Sequence, residues 1–233
     1  MLIINNGVPK SGSTWIQRIL VRGLRPDFPS EKWRNSWKNP SIDPRNLRAY
    51  IEGGEWQHSP TLIKMHFKLE ENYDYIWNDN IKILVSYRNI PDSVVSWFHH
   101  KLRNGEVDLK HRAAWFEKEG RVFAKRALNH RLSWEKKPNT ILLRYEDMLA
   151  DATSGIESIF NFIGNEKTRA ECVKIAESTQ VTLKPGEPLR DGNHVRTAGR
   201  SVARDEIPEH LFNEFVQMEE QQSTWFESYR RVR

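Results

Sequence analysis

Near the start of the chain an apolar run, Leu2-Ile3-Ile4, leads through Gly7-Val8-Pro9-Lys10-Ser11-Gly12-Ser13-Thr14-Trp15 into Trp15, Ile16, Ile19 and Leu20, which are apolar at helical spacing. A strand, a glycine-containing loop and an amphipathic helix, in that order, make a phosphate site. Successive backbone N–H groups of such a loop turn inward, and the positive end of the helix dipole adds to them. An anion is expected against Lys10, Ser11, Gly12, Ser13 and Thr14.

The loop resembles a Walker A loop and departs from it at an informative place. Gly7 and Gly12 have the Walker spacing, but Ser13 stands where the Walker lysine belongs and the lysine is at position 10. A nucleoside triphosphatase uses that lysine on the β- and γ-phosphates. Pro9-Lys10-Ser11-Gly12-Ser13-Thr14-Trp15 instead closely resembles the 5′-phosphosulfate loop of the sulfotransferases that use 3′-phosphoadenosine 5′-phosphosulfate (PAPS). The resemblance implies that PAPS is the sulfuryl donor, adenosine 3′,5′-bisphosphate (PAP) is the product, and Trp15 lies on or beside the adenine.

Further motifs follow in that family's order. Thr61-Leu62-Ile63-Lys64-Met65-His66-Phe67 reads as a strand after Pro60, with Lys64 and His66 two residues apart and on one face. A lone histidine on an apolar strand is ordinarily a core residue. Lys64-Met65-His66, however, looks like the family's Lys-x-His, in which the histidine is the general base and the lysine holds the sulfuryl group. Ile81–Tyr87 is the clearest strand, and Pro91 and Asp92 suit the first turn of a helix after it. Arg88 can place two N–H donors on a phosphate, and Ser96 can add a hydroxyl from the helix. Arg88-Asn89-x-Pro91-Asp92-x-x-x-Ser96 resembles the family's 3′-phosphate motif; the plain alternative for Arg88 is an ion pair.

Thr140–Met148 reads as another strand, and its Tyr145-Glu146-Asp147 matches a family triplet whose tyrosine lies near the adenine. Asp151 starts a helix that Gly164 ends, and a second helix covers roughly residues 167–178. Residues 182–204 read as a loop rich in arginine. The family has Arg-Lys-Gly-x-x-Gly there to cover the nucleotide. Here Arg196 is kept, Thr197 and Ala198 replace the lysine and first glycine, and Arg200 stands as a substitute cation.

Alternating strands and helices, with no tight hairpin signal, predict an α/β fold: three layers, with a central mostly parallel sheet flanked by helices, P-loop-like, and a single domain over residues 1–233. Residues 22–60 read as short helices and ordered loops, with Trp33, Trp37 and Trp56 either pinning the segment or lining an acceptor pocket. Residues 101–137 read as two helices broken near Gly105 or Gly120. Cys172, the single cysteine, sits at helical apolar spacing and reads as packing. Adjacent His99 and His100 point to different sides, so no metal site is expected.

The net charge of +5 favours anionic ligands without resembling a nucleic-acid-binding tail. No apolar segment has membrane-spanning length, so a cytoplasmic protein with no membrane anchor is expected. The expected activity is transfer of the PAPS sulfuryl group to a hydroxyl or amine of a small-molecule acceptor. A small-metabolite kinase or NTPase, and a non-catalytic nucleotide-binding relative, are the alternatives. Neither the acceptor nor the oligomeric state is legible.

Overall fold

The computed structural model describes residues 1–36, 39–70, 73–179 and 203–230, with the side chains of 34–40 and 221–230 left aside. The strands are β1 (Leu2–Asn6), β2 (Arg34–Ser36), β3 (Asn39–Ile42), β4 (Thr61–Met65), β5 (Ile81–Tyr87) and β6 (Thr140–Arg144). The helices are α1 (Ser13–Leu24), α2 (Leu47–Gly53), α3 (Ile90–Arg103), α4 (Arg112–Trp115), α5 (Arg121–Trp134), α6 (Tyr145–Ala150), α7 (Ala152–Phe162), α8 (Arg169–Thr179), α9 (Ala203–Glu206) and α10 (Glu209–Arg230). The chain divides into two compact units, Met1–Tyr87 with His130–Gln180, and Arg88–Asn129 with Val181–Arg233.

The first unit holds a four-stranded sheet in the order β4-β1-β5-β6 with every neighbouring pair parallel. A parallel sheet is covered on both faces, and the apolar residues divide accordingly. Leu2, Ile4, Ile63, Met65, Ile81, Ile83 and Val85 pack with Leu47, Tyr50, Trp56, Ile76 and Trp134. Ile3, Leu62, Leu84 and Leu143 face the other way, onto Ile16, Ile19 and Leu20 of α1, Ile156 and Phe160 of α7, and Cys172 and Ile175 of α8. These are the three expected layers, and Cys172 is a fully buried core residue. Gly23 of α1 is required by packing: a Cβ there would lie 2.1 Å from Phe160 Cζ.

Three local readings need correction. Residues 34–42 form a small antiparallel ribbon, with Arg34 opposite Ile42 and Ser36 opposite Asn39, where only helices and loops were expected. Pro40 is compatible with such an edge because an edge strand leaves N–H positions unpaired. Strand β6 ends at Arg144, and Tyr145-Glu146-Asp147 opens α6, where the helix dipole favours the two carboxylates. Gly120 does not break a helix. It closes a π-helical turn, Phe116–Gly120, that runs straight into α5, and a Cβ there would already press on Val94 Cγ1 at 3.3 Å.

In the second unit, Asn89 caps α3 by accepting from Asp92 N at 2.8 Å, with Pro91 in the first turn as expected. Phe98 of α3 packs on Trp115 and Phe116. His99 pairs with Glu206 at 2.5 Å while His100 stacks on Trp97, so the adjacent histidines do diverge.

Candidate active site

The phosphate loop is fixed by the sheet beneath it. Val8 N donates to Ser86 O at 3.0 Å, tying the loop to β5. The Ser11 hydroxyl is buried and lies 2.6 Å from Val8 O and 2.8 Å from both Ser86 O and Ser86 Oγ. It serves the loop's shape, as does the Ser11 backbone, whose N–H donates to Val8 O at 3.1 Å. Asn5 Nδ2 reaches Ser13 O at 2.8 Å and holds the start of α1 from below.

Two residues of the loop adopt left-handed backbone, Lys10 at φ 71° and Gly12 at φ 89°. Such a conformation costs a non-glycine residue on the order of 1 kcal/mol or more, and it recurs where a loop is shaped for a ligand. Gly12 has a second reason to lack a side chain: a Cβ would lie 2.6 Å from Tyr145 Cδ2. At Gly7 a Cβ would lie 2.1 Å from Ser86 Oγ. The first N–H groups of α1 have no intrahelical acceptor, so the end of the loop presents donors together with the helix dipole. The expected loop residues thus lie together in a cradle at the start of α1.

Lys64 and His66 both turn to this cradle. Lys64 Nζ donates to Thr14 Oγ1 at 2.9 Å. Burial, and then the Arg18 guanidinium one helical turn beyond Thr14, push the Lys64 ammonium down to about 8. His66 lies one residue past β4, and its Nδ1 is 2.5 Å from Gly7 O. A carbonyl oxygen only accepts, so Nδ1 carries the proton and Nε2 keeps the lone pair. His66 is exposed, yet the protein hemming its ring lowers its pKa, with Lys64 adding to this and the Gly7 bond opposing it. The result is a neutral imidazole at neutral pH, with Nε2 as its basic nitrogen.

The backbone around His66 is clamped. Met65 pairs with Asn6 in the β1–β4 ladder, and the Asn6 side chain continues the ladder by one residue. Asn6 Oδ1 accepts from Phe67 N at 2.9 Å, and Asn6 Nδ2 donates to Phe67 O at 3.0 Å. Phe67 O also accepts from Trp134 Nε1 at 3.1 Å, and Leu69 N donates to Ser133 Oγ at 3.2 Å. The last turn of α5 is therefore fastened along residues 67–69, which sets His130 beside His66. His130 is buried, and neither ring nitrogen makes a hydrogen bond among the described residues. Phe67 O approaches it but is already taken by two donors. Burial, with a smaller push from His66, holds His130 down to about 4.

Trp15 stands edge-on to Tyr145 with ring centroids 6.2 Å apart, and its Nε1 donates to Thr179 Oγ1 at 3.3 Å. In the second unit, Arg88 Nη2 lies 3.4 Å from Asp92 Oδ2, and both groups are largely buried. Asp92 and Ser96 are one helical turn apart, so Arg88, Asp92 and Ser96 recur at a spacing of four. The ion-pair alternative for Arg88 is present, but buried and directed by an aspartate that Asn89 Nδ2 also holds. Trp56 is a core residue whose Nε1 donates to Ile51 O at 3.0 Å, and Trp33 packs edge-on to Tyr50. Trp37, Arg196 and Arg200 lie outside the described residues.

The family model described as the sulfotransferase domain matches residues 2–228. The chain belongs to this family, the PAPS-dependent sulfotransferases. Relatives of the sulfotransferase include sulfotransferase 1B1 of Canis lupus familiaris, 27% identical over 80% of this chain and 67% of that protein. Amine sulfotransferase of Oryctolagus cuniculus is 28% identical over 84% of this chain and 66% of its own length. Among solved structures, mouse sulfotransferase SULT7A1 complexed with PAP superposes with a TM-score of 0.65 at 20% identity, covering 93% of this chain and 81% of that one. Retinol dehydratase in complex with androsterone and PAP gives 0.59 at 16% identity, covering 94% and 79%. These two share the sulfotransferase's α/β fold. The small-metabolite kinase alternative falls with the family assignment.

Sequence reasoning missed Asn6, Arg18 and His130. A signal existed for Asn6: Asn5-Asn6 is a polar pair ending an otherwise apolar strand, where side chains without partners would be costly. Arg18, four residues after Thr14 on one helix, was also legible by spacing. His130 in its charged stretch carried no such mark.

Proposed function

We propose that this sulfotransferase moves the sulfuryl group of PAPS to a hydroxyl or amine of a small-molecule acceptor, with His66 as general base. The supporting observation is the Gly7 carbonyl on His66 Nδ1, which leaves Nε2 as an open basic atom beside the anion cradle. The acceptor oxygen or nitrogen attacks sulfur and gives its proton to His66 Nε2. The bond from sulfur to the bridging oxygen breaks, and PAP leaves with that electron pair. General-base assistance of this kind is worth about 10²–10⁴ in rate.

Charge grows on the bridging oxygen as that bond breaks. Lys10, the backbone N–H groups of residues 12–14 and the Thr14 hydroxyl are the groups proposed to receive it, the Ser11 N–H being held by Val8 O, with Lys64 sharing the load from its place on Thr14. These fixed cations take the role a divalent ion has in kinases, and the reading calls for no metal. Trp15 and Tyr145 would flank the adenine. Arg88 and Ser96 would hold the 3′-phosphate, with Arg196 and Arg200 covering it. A small-molecule acceptor is in keeping with the retinol dehydratase complexes with androsterone and with retinol.

The test is His66→Ala with turnover and PAP binding both measured. Turnover should fall by at least about tenfold with PAP affinity nearly unchanged; a smaller loss removes His66 as the base. Arg88→Ala should weaken PAP far more than adenosine 5′-monophosphate, and equal losses would remove Arg88 from the 3′-phosphate.

A further inference from the structure

Three features near His66 lie outside the proposed chemistry: Arg18 beside Lys64, the buried imidazole of His130, and the amide of Asn6. Arg18 is exposed, and among the described residues its tie to the site is its charge on Lys64. Both His130 nitrogens are buried. Asn6 is different, because both polar ends of its side chain are spent on one residue, and that residue adjoins the base.

We infer that Asn6 is a positioning residue for His66, aligning the imidazole with the phosphate loop; the inference rests on the reading of His66 as the base. An amide side chain that accepts from a backbone N–H and donates to the carbonyl of the same residue satisfies both polar groups of that residue, as a paired strand would. Asn6 does this to Phe67 while its own backbone pairs with Met65. The backbone on both sides of His66 is thereby held, and Gly7, the next residue after Asn6, holds the ring through its carbonyl. Three consecutive residues, 65–67, are fixed by two consecutive residues, 6 and 7. Those two lead directly into the anion cradle, which Val8 ties to Ser86. One rigid segment thus sets both the donor's phosphosulfate and the base that takes the acceptor's proton beside it.

Asn6 is fully buried, so a purely structural role is the competing explanation. Reacting groups must be placed within a fraction of an ångström, and a displacement of about 1 Å costs on the order of 10²-fold in rate. A loss through His66 exists only while His66 is present, whereas a general loosening of the fold is felt in any background. Asn6→Ala, His66→Ala and the double variant separate the two, with kcat, acceptor KM and PAP affinity measured at a temperature where each melts well above the assay.

Asn6→Ala should lower kcat at least about tenfold in the wild-type background and less than about twofold in the His66→Ala background, with PAP affinity within about threefold. Equal losses in both backgrounds, or an unchanged kcat in the wild type, overturn the positioning role and leave the base assignment standing. A His66→Ala loss below about tenfold overturns the base and this inference together. Should Asn6→Ala not fold, Asn6→Ser carries the same cycle, since one hydroxyl can meet the Phe67 N–H or the carbonyl but not both. It should give the same coupling at a smaller loss, and equal losses in both backgrounds again overturn the inference.

Discussion

Replacing His130 with leucine should remove a defined part of the protein's sensitivity to acid. The folded protein holds His130 neutral down to about 4, against an ordinary value of 6.5 in an unfolded chain. A histidine whose folded pKa is depressed contributes stability that is fully present above 6.5 and is lost as pH falls toward 4, because only the unfolded chain takes up the proton there. Between about pH 7.5 and pH 5 that single group removes about 2 kcal/mol from the folding free energy, and about 3 kcal/mol once both pKa values are passed. Leucine fills a similar volume, takes no proton and leaves no polar atom unpaired. The variant should match or exceed wild type near neutral pH, since two buried nitrogens without hydrogen bonds among the described residues are lost. Urea unfolding followed at both pH values reads the difference directly. His66 titrates in both proteins, so only its smaller coupling to His130 enters the comparison. If wild type and His130→Leu lose the same stability between the two pH values, the burial argument for His130 is wrong.

Gly12→Ala should abolish measurable PAP binding in a thermal-shift assay and destabilise the protein by about 1–3 kcal/mol, because the left-handed backbone and the Tyr145 ring both oppose a methyl group. Retained binding would mean that the loop can re-form around a side chain. Lys64 is charged below about 8, so kcat should fall as pH rises through that value, while Lys64→Arg should carry activity to higher pH; an identical alkaline limb in both proteins refutes a role for the Lys64 charge. Gly23→Ala should lower urea stability by about 2 kcal/mol or more through its collision with Phe160, with PAP affinity unchanged in whatever folds. A neutral result would show that α1 and α7 can move apart.

The parallel sheet and the position of the loop were readable because each rests on local pattern. Continuous apolar strands such as Ile81–Tyr87 can only be buried on both faces, and Gly7 and Gly12 mark the loop by spacing. Where a decision depended on three-dimensional surroundings, the reading failed. Tyr145 continues an apolar run and so resembles strand, yet the carboxylates after it suit a helix start. Gly120 resembles a break, but a glycine pressed against Val94 lets a π-helical turn pass close to α3. His66 was located through a resemblance, whereas its tautomer comes from the distance to Gly7 O. Asn6 acts across 61 positions of sequence, a separation at which spacing holds no information.

The buried hydroxyl of Ser11 gives the loop a property that a ligand does not have to supply. Its ties to Ser86 and Val8 are internal to the protein, so the inward-facing amides are already oriented when the nucleotide arrives. Little ordering entropy remains to be lost on encounter, and recognition becomes a matter of charge and shape against a standing mould. Simple tetrahedral oxyanions such as sulfate, which need no more than that mould, should therefore compete with the donor at concentrations where a loop that closes on its ligand would ignore them.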